Sequence, residues 1–507
     1  MTAVVTRRAL ATVLAIFTLG SVDTFAVTVG IEGTDDPEAQ VIAKGVEAYF
    51  ADLESVGRVT VAGEGLVKPG EDGGYLLRLP RFAIHTEDGG KIDLSFIHAD
   101  VTPLGDGRYA FDMRPTLPME IWSPDEMLVA VIPKEQSYRG IWDAAFNTVA
   151  QGTFEFRDIS LIGPGLRGRI DEVRGEERRE LGFDGTTVDH RTSGEMRGFS
   201  LTLKPAEFSL SVERASFAST GNDVPLAMLR ASLVLNLNGS PGGDIGPEAL
   251  FSLLRMGGES GRLDVEMTAE ELILRDSDWS LHVDRLLLRQ RLGDGAVYAG
   301  TLEGVHAEDV LDGRLYSFRT LEMQSRGEIN DTDSFAGSQI VAFEGFQFDI
   351  APSQFLPARG RLVLGLKQVS LSHLTSALES VDLSGPSEAV VAPVFGALAE
   401  SGAVVSIDAF DLRGMGARAL LEAPIGFDIQ TMRPSTEPNR LVVHGLSGLV
   451  TGLAAEGADP QLVGGLAAAL AMGRAEQRGG ETVHIFDLAI DESGAPTVNG
   501  RPIGGAP

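Results

Sequence analysis

The 507-residue sequence predicts a mainly β, α+β protein: long curved antiparallel meander sheets with a few short covering helices. Three observations carry this expectation. Apolar residues alternate with polar ones over long stretches, as in Arg262-Leu263-Asp264-Val265-Glu266-Met267-Thr268, Trp279-Ser280-Leu281-His282-Val283 and Arg361-Leu362-Val363-Leu364-Gly365-Leu366-Lys367. A period of two is the mark of a strand with one buried and one wet face. Glycine- and aspartate-rich turns separate these runs at short intervals, which favours antiparallel meanders over parallel crossovers. Helical spacing is confined to a few segments.

Taken in order, residues 1–26 read as a secretory signal. Arg7 and Arg8 form the basic start, Ala9–Leu19 the apolar run, and Thr24-Phe25-Ala26 the cleavage site. An uncleaved inner-membrane anchor is the alternative. Asp35–Val56 reads as a helix, with Asp35 or Asp36 as its cap, Pro37 in its first turn and Val41, Ile42, Val46, Tyr49, Phe50, Leu53 and Val56 at helical spacing. From Gly57 to Ile132 the period is two, broken by turns at Gly70–Gly74, Glu87–Gly90 and Gly105–Gly107, and Tyr138–Ile162 continues the pattern.

Arg167–Arg197 is dense in both arginine and acids. An anion site is the sharper reading. A solvated hairpin or excursion, with charges that pair locally, is the plainer one. Strands resume at Phe199–Leu203, Glu207–Val212 and Leu233–Leu237. Short helices are expected at Pro247–Met256, Leu371–Leu378, Ser387–Ala399 and Leu446–Met472, and strands close the chain at Val483–Ile490 and Pro496–Gly500. These shifts divide the sequence into 1–26 (signal), 27–165 (helix plus sheet), 166–197 (charged excursion), 198–370 (central sheet) and 371–507 (C-terminal helices and strands).

Composition excludes several chemistries. The net charge of -30 repels nucleic acid and anionic headgroups. The absence of cysteine rules out disulfides, zinc–thiolate sites, iron–sulfur clusters and cysteine nucleophiles. The eight histidines show no metal-binding spacing; His282 and His484 are expected in strands on a polar face, and Asp189-His190 as a surface pair. Gly163-Pro164-Gly165-Leu166-Arg167-Gly168 matches a dinucleotide-binding string. No amphipathic helix succeeds it, so it reads as a glycine-rich turn. Asn330–Ser334 resembles the start of a calcium loop without its later ligands. The sequence nominates no catalytic residue, cofactor or metal ligand.

The layout resembles uncharacterised alphaproteobacterial periplasmic proteins grouped as a domain of unknown function, and more distantly the YdgA-like envelope proteins. The resemblance is carried by the signal-like start, the glycine-punctuated strands and the acidic cysteine-free composition. More specific points are Phe348-Asp349-Ile350 through Leu366-Lys367-Gln368-Val369-Ser370-Leu371 and the ending Val498-Asn499-Gly500-Arg501-Pro502. Such a family implies no activity. The expectation is a non-enzymatic periplasmic envelope protein that binds lipid or another apolar ligand in a β-sheet trough, or an envelope protein partner, with no transmembrane helix after signal removal. An envelope hydrolase with a site assembled from scattered residues, or a structural assembly factor, are the alternatives. The candidate ligand contacts are Leu263, Val265, Met267, Leu281, Val283, Leu362, Leu364 and Leu366.

Overall fold

The computed structural model describes most residues from 29 to 502; the main stretches outside it are 1–28, 226–261, 349–356 and 380–386, with shorter ones at loops and at the C-terminus. The expected signal, the strand Leu233–Leu237 and the helix Pro247–Met256 lie outside the described residues. The protein is mostly antiparallel sheet with a few short helices, and the sheet is not closed. Two compact units divide at Met1–Ser277 and Asp278–Pro507. The composition shifts at 165, 197 and 370 fall inside these units.

In the first unit, Asp36 caps the helix Pro37–Glu54 by accepting the Glu38 N–H at 2.9 Å. Its apolar stripe, Ala39, Ile42, Ala43 and Val46, packs on Val67, Tyr75, Tyr109 and Phe111 of the sheet. Two phenols tie the helix start down: Tyr75 donates to Asp36 at 2.7 Å and Tyr109 to Glu38 at 2.8 Å. The bond from Tyr75 and the Glu38 amide hold the Asp36 carboxyl below its ordinary range.

The strands beneath the helix are interrupted near their middles. Tyr75–Leu79 gives way to Arg81–His85, Arg108–Pro115 to Met119–Trp122, and Met127–Ile132 to Glu135–Asp143. Pro115 and Pro133 stand at the second and third of these breaks, where a residue without an N–H ends the ladder. Each half keeps its own partners: Tyr75–Leu79 pairs with Ile97–Gly105, and Arg81–His85 with Lys91–Leu94.

Beyond them, Thr148–Gly163, Leu166–Leu181, Thr187–Leu203, Phe208–Pro225 and Arg262–Arg275 pair in chain order. Here the break becomes a line of skipped pairs. The register passes over Asp158, Asp171, Gly198, Glu213 and Glu271, one residue in each strand, and Asp158, Gly198 and Glu271 have φ of 49°, 61° and 52°. The register is the same on both sides of this line, so facing strands are interrupted together and neither gains a residue on the other, while the face that each strand buries changes across it. Hence Ile170 and Val173, and Met196 and Phe199, are buried on one face although three residues apart. Gly175 and Gly194 keep that face level. A Cβ on Gly175 would lie 2.4 Å from the Phe154 ring, and one on Gly194 2.2 Å from the Phe217 ring. The rings lie across bare backbone instead.

Arg167–Arg197 does not leave the sheet. Its residues occupy two long strands, and Gly163 to Leu166 is the tight turn that joins the first of them to Thr148–Gly163. On the wet face its charges do pair locally. Glu195 meets Arg174, Arg197 and Arg214, and its carboxyl is pushed down to about 2, above all by the bond from Arg197.

The second unit repeats the plan. Trp279–Gly293, Gly295–Asp309, Arg314–Ile329, Ser334–Glu344, Arg359–Ser370 and Val404–Gly414 pair antiparallel in chain order. Asp284, Gly304 and Arg319 are the skipped positions in the first three. The helices Leu371–Glu379 and Ser387–Glu400 lie between the last two of these strands, and their Leu374, Leu398 and Ala399 pack with Val369, Phe335 and Leu366. The expected Leu446–Met472 helix is two helices, Leu446–Ala455 and Pro460–Met472. Gly457 at φ 72° ends the first, and Asp459 caps the second through the Gln461 N–H at 2.8 Å. They cover Leu441, Val443, Phe486 and Leu488 on the strands Asn439–His444 and Glu481–Ile490.

Candidate functional site

The candidate site grows from one face of the second unit. Direct cross-strand partners line up in transverse rows. One row runs Leu288, Gly300, Met323, Val341, Leu362 and Phe410 across six strands. The row beside it runs Leu286, Leu302, Leu321, Phe343, Gly360 and Leu412. Across the skipped positions lie Val283, Val305 and Phe318, then Leu281, Ala307, Tyr316 and Phe348. Aromatic rings concentrate at this crossing: Tyr316 stacks on Phe348 at 4.3 Å and Phe318 on Phe346 at 4.9 Å.

Among the described residues, no charged side chain enters these rows. The charges sit on the opposite face, where Glu344 pairs with Arg319 and Arg359, Arg285 with Glu303, and Lys367 with Asp408. The apolar face is only partly covered. Met323 is 49% exposed, Leu288 41% and Val405 38%. Among the described residues from Arg314 to Phe348, none is buried.

The eight nominated residues fall into two sets. Leu281, Val283, Leu362, Leu364 and Leu366 belong to this face of the second unit; Val283 is buried and the other four are partly covered. Leu263, Val265 and Met267 belong to the first unit, where they pair with Gly221, Ser219 and Phe217; Leu263 is buried and the other two partly so. Sequence reasoning missed Met323, Val341, Phe318, Phe343 and Leu288. The signal was present as alternation in Arg314–Ile329 and Ser334–Glu344, but the phase breaks hid which residues share a face.

A second feature, also missed, is polar. On the buried face of the first unit, Tyr138 donates to Glu177, and Arg179 donates to Glu177 at 3.1 Å and to Thr148 at 3.2 Å. Glu177 is 2% exposed and Arg179 is buried. Across the ladder from Arg179 stands His190, also buried, with Nε2 at 2.9 Å from the Ser219 hydroxyl and no partner on Nδ1. Burial, and then the Arg179 charge, push the imidazole down to about 4. Asp189-His190 is thus no surface pair: alternate residues point to opposite faces, so His190 goes in and Asp189 out. A serine hydroxyl on a neutral imidazole supplies two of the three members of a nucleophilic triad. Among the described residues no acid holds Nδ1.

Two other histidine expectations are settled by register. His282 lies on the charged face as expected, opposite His306, with ring centroids 6.3 Å apart. His484 is buried, not on a polar face, because it shares the side of its strand that the two C-terminal helices cover at Phe486 and Leu488. A hollow of about 440 Å³ lies on the wet face of the first unit over Gly175 and Gly194, lined by Thr153, Arg174, Glu176, Ser193 and Glu195. Its charges already satisfy one another through Arg174 and Glu195, at 3.0 Å.

No helix among the described residues is long and apolar enough to cross a membrane. Comparison with known proteins finds no matching family model, no matching curated protein and no matching solved structure. Function is therefore read from geometry.

Proposed function

We propose that the chain is a non-enzymatic envelope protein of the periplasm that carries the acyl chains of a lipid on the apolar face of its second unit. One observation carries this reading: a face six strands wide, free of charge and partly exposed, in a protein of net charge -30. Apolar surface of that extent is costly in water, and soluble monomers seldom expose it without an occupant.

The dimensions suit hydrocarbon. Leu281 to Leu288 spans about 23 Å at ~3.3 Å per residue. One leaflet of a bilayer core is about 15 Å deep. Six strands at ~4.8 Å spacing give a width of about 24 Å, room for more than one chain side by side. Each methylene moved from water onto this face contributes about 0.8 kcal/mol, so a single long chain supplies ample affinity without any hydrogen bond. The hydrolase alternative would rest on His190 and Ser219, but His190 is buried and no acid among the described residues holds its Nδ1.

Native mass spectrometry of the protein after gentle periplasmic extraction tests the reading. The wild-type protein is expected to carry lipid masses, and Val341→Asp, which sets a charge in the middle of the central row, to lose them. A wild-type protein that emerges bare and takes up no pyrene-labelled diacyl lipid overturns the proposal.

A further inference from the structure

One row of the apolar face is not apolar. Gln290 stands directly opposite Tyr298, Tyr298 opposite Ser325, and Ser325 opposite Gln339. Four neighbouring strands thus place an uncharged polar side chain at the same level. The row is bounded on one side by Leu288, Gly300, Met323 and Val341, and on the other by Leu292, Ala296, Gly327 and Gly337. Beyond Gln339 it turns apolar again at Leu364 and Ile407.

A covered sheet interior would not favour four such groups together, because each must keep a hydrogen-bond partner once water is removed. Gln290 donates to the Tyr298 hydroxyl at 3.3 Å, a long bond. Tyr298 is 40% exposed, and Ser325 and Gln339 are exposed. Partial burial raises the phenol above its ordinary range, so Tyr298 keeps its proton at any physiological pH. The row therefore presents hydroxyl and amide donors together with carbonyl acceptors, and no charge.

We propose, building on the lipid-carrying reading above, that Gln290, Tyr298, Ser325 and Gln339 bind the carbonyl-bearing linkage, ester or amide, that joins the acyl chains of a lipid to its polar part. Charge complementarity selects this class. A free carboxylate or a phosphate placed here would meet neither lysine nor arginine in the rows on either side, and would be left unpaired beside hydrocarbon. A bare hydrocarbon would strand the four polar groups when it displaced their water. A neutral linkage satisfies them, while its chains run over the Met323 row towards Phe318 and Tyr316. The row then fixes how far along the face a lipid lies, and the apolar rows supply most of the affinity.

The test uses the full chain and three probes by native mass spectrometry and competition against a pyrene-labelled alkane: dioleoylglycerol, a ceramide and oleate. Wild-type protein is expected to bind dioleoylglycerol or ceramide at least about tenfold more tightly than oleate, and the ratio of the first two identifies ester or amide as the linkage preferred. The double variant Tyr298→Phe/Gln339→Leu is expected to lower affinity for the preferred linkage lipid about tenfold, the loss of one or two hydrogen bonds, with alkane binding unchanged. Oleate bound as well as the linkage lipids, or a double variant that weakens alkane and linkage lipid alike, overturns the inference while leaving lipid carriage intact. A wild-type protein that binds none of the probes, the alkane included, removes lipid carriage itself and the inference with it.

Discussion

The two units turn the same strand pattern to different ends. In the first, the strands from Leu166 to Leu203 bury Ile170, Val173, Met196, Phe199 and Leu201, together with Glu177, Arg179 and His190. In the second, the strands from Arg314 to Phe348 bury nothing among the described residues. Alternation, lines of skipped pairs and glycine–aromatic pairs are common to both. Apolar patterning is thus a statement about a face, and whether that face becomes core or binding surface depends on what covers it.

The covered face is most vulnerable at its charged pair, and the largest effect is expected there. Arg179→Met leaves the Glu177 carboxylate buried without its guanidinium. Unfolding by denaturant is expected to show a loss of about 3–5 kcal/mol, and Glu177→Leu added to it should restore a good part. A loss below about 1 kcal/mol would mean that water reaches the pair and that the face is not closed.

Matched truncations compare the faces directly. Phe154→Ala in the first unit removes a buried ring and should cost about 3–5 kcal/mol. Met323→Ala in the second, half exposed, should cost less than about 1 kcal/mol in the absence of ligand. Equal costs would erase the distinction between the units.

Acid should act on the first unit. His190 has a folded value of about 4 against an ordinary 6.5. The folded state thus binds the proton less tightly than the unfolded chain, and stability is full above pH 6.5 and falls as pH drops towards 4. The groups around it are Arg179 across the ladder, which opposes protonation, Asp189 beside it, which favours it, and the Ser219 hydroxyl. A difference of about 2.5 units corresponds to on the order of 3 kcal/mol. Thermal melts between pH 7 and 4 should show this slope, and His190→Gln should flatten it. An unchanged slope in the variant would assign the acid sensitivity elsewhere.

The smallest expected effect lies on the helices of the second unit. A Cβ on Gly464 meets nothing within 4 Å. Gly464→Ala should therefore raise stability by about 0.5–1 kcal/mol through helix propensity alone. A decrease would show that this open helix side packs against something.

Much of the fold was legible in the sequence because its signals are local. The helix Pro37–Glu54 announced itself through Asp36, Pro37 and its apolar stripe, and each long strand through its period of two. The candidate site was legible only in part. Leu281, Val283, Leu362, Leu364 and Leu366 were read from unbroken alternation on strands where it is clearest. Met323, Val341 and Phe318 were not, because facing partners on separate strands are set by register, which no single strand carries. His190 and Glu177 were hidden by their company. In a run rich in arginine and acid, a buried charge and a solvated one look alike until the neighbouring strand is in place.

The antiparallel meander, the helix caps, the exclusion of thiol chemistry and a surface that repels nucleic acid were all written in the amino-acid order and composition. They arise from backbone propensity, turn chemistry and net charge, which act over a few residues or over the whole chain at once. Where each strand bends, which side chains lie in one transverse row, and that one sheet face is closed while the other stays partly open emerged only from the assembled sheets. Those outcomes depend on pairing between residues far apart in sequence, and on the left-handed backbone at Asp158, Gly198 and Glu271, across which the buried face of each strand changes.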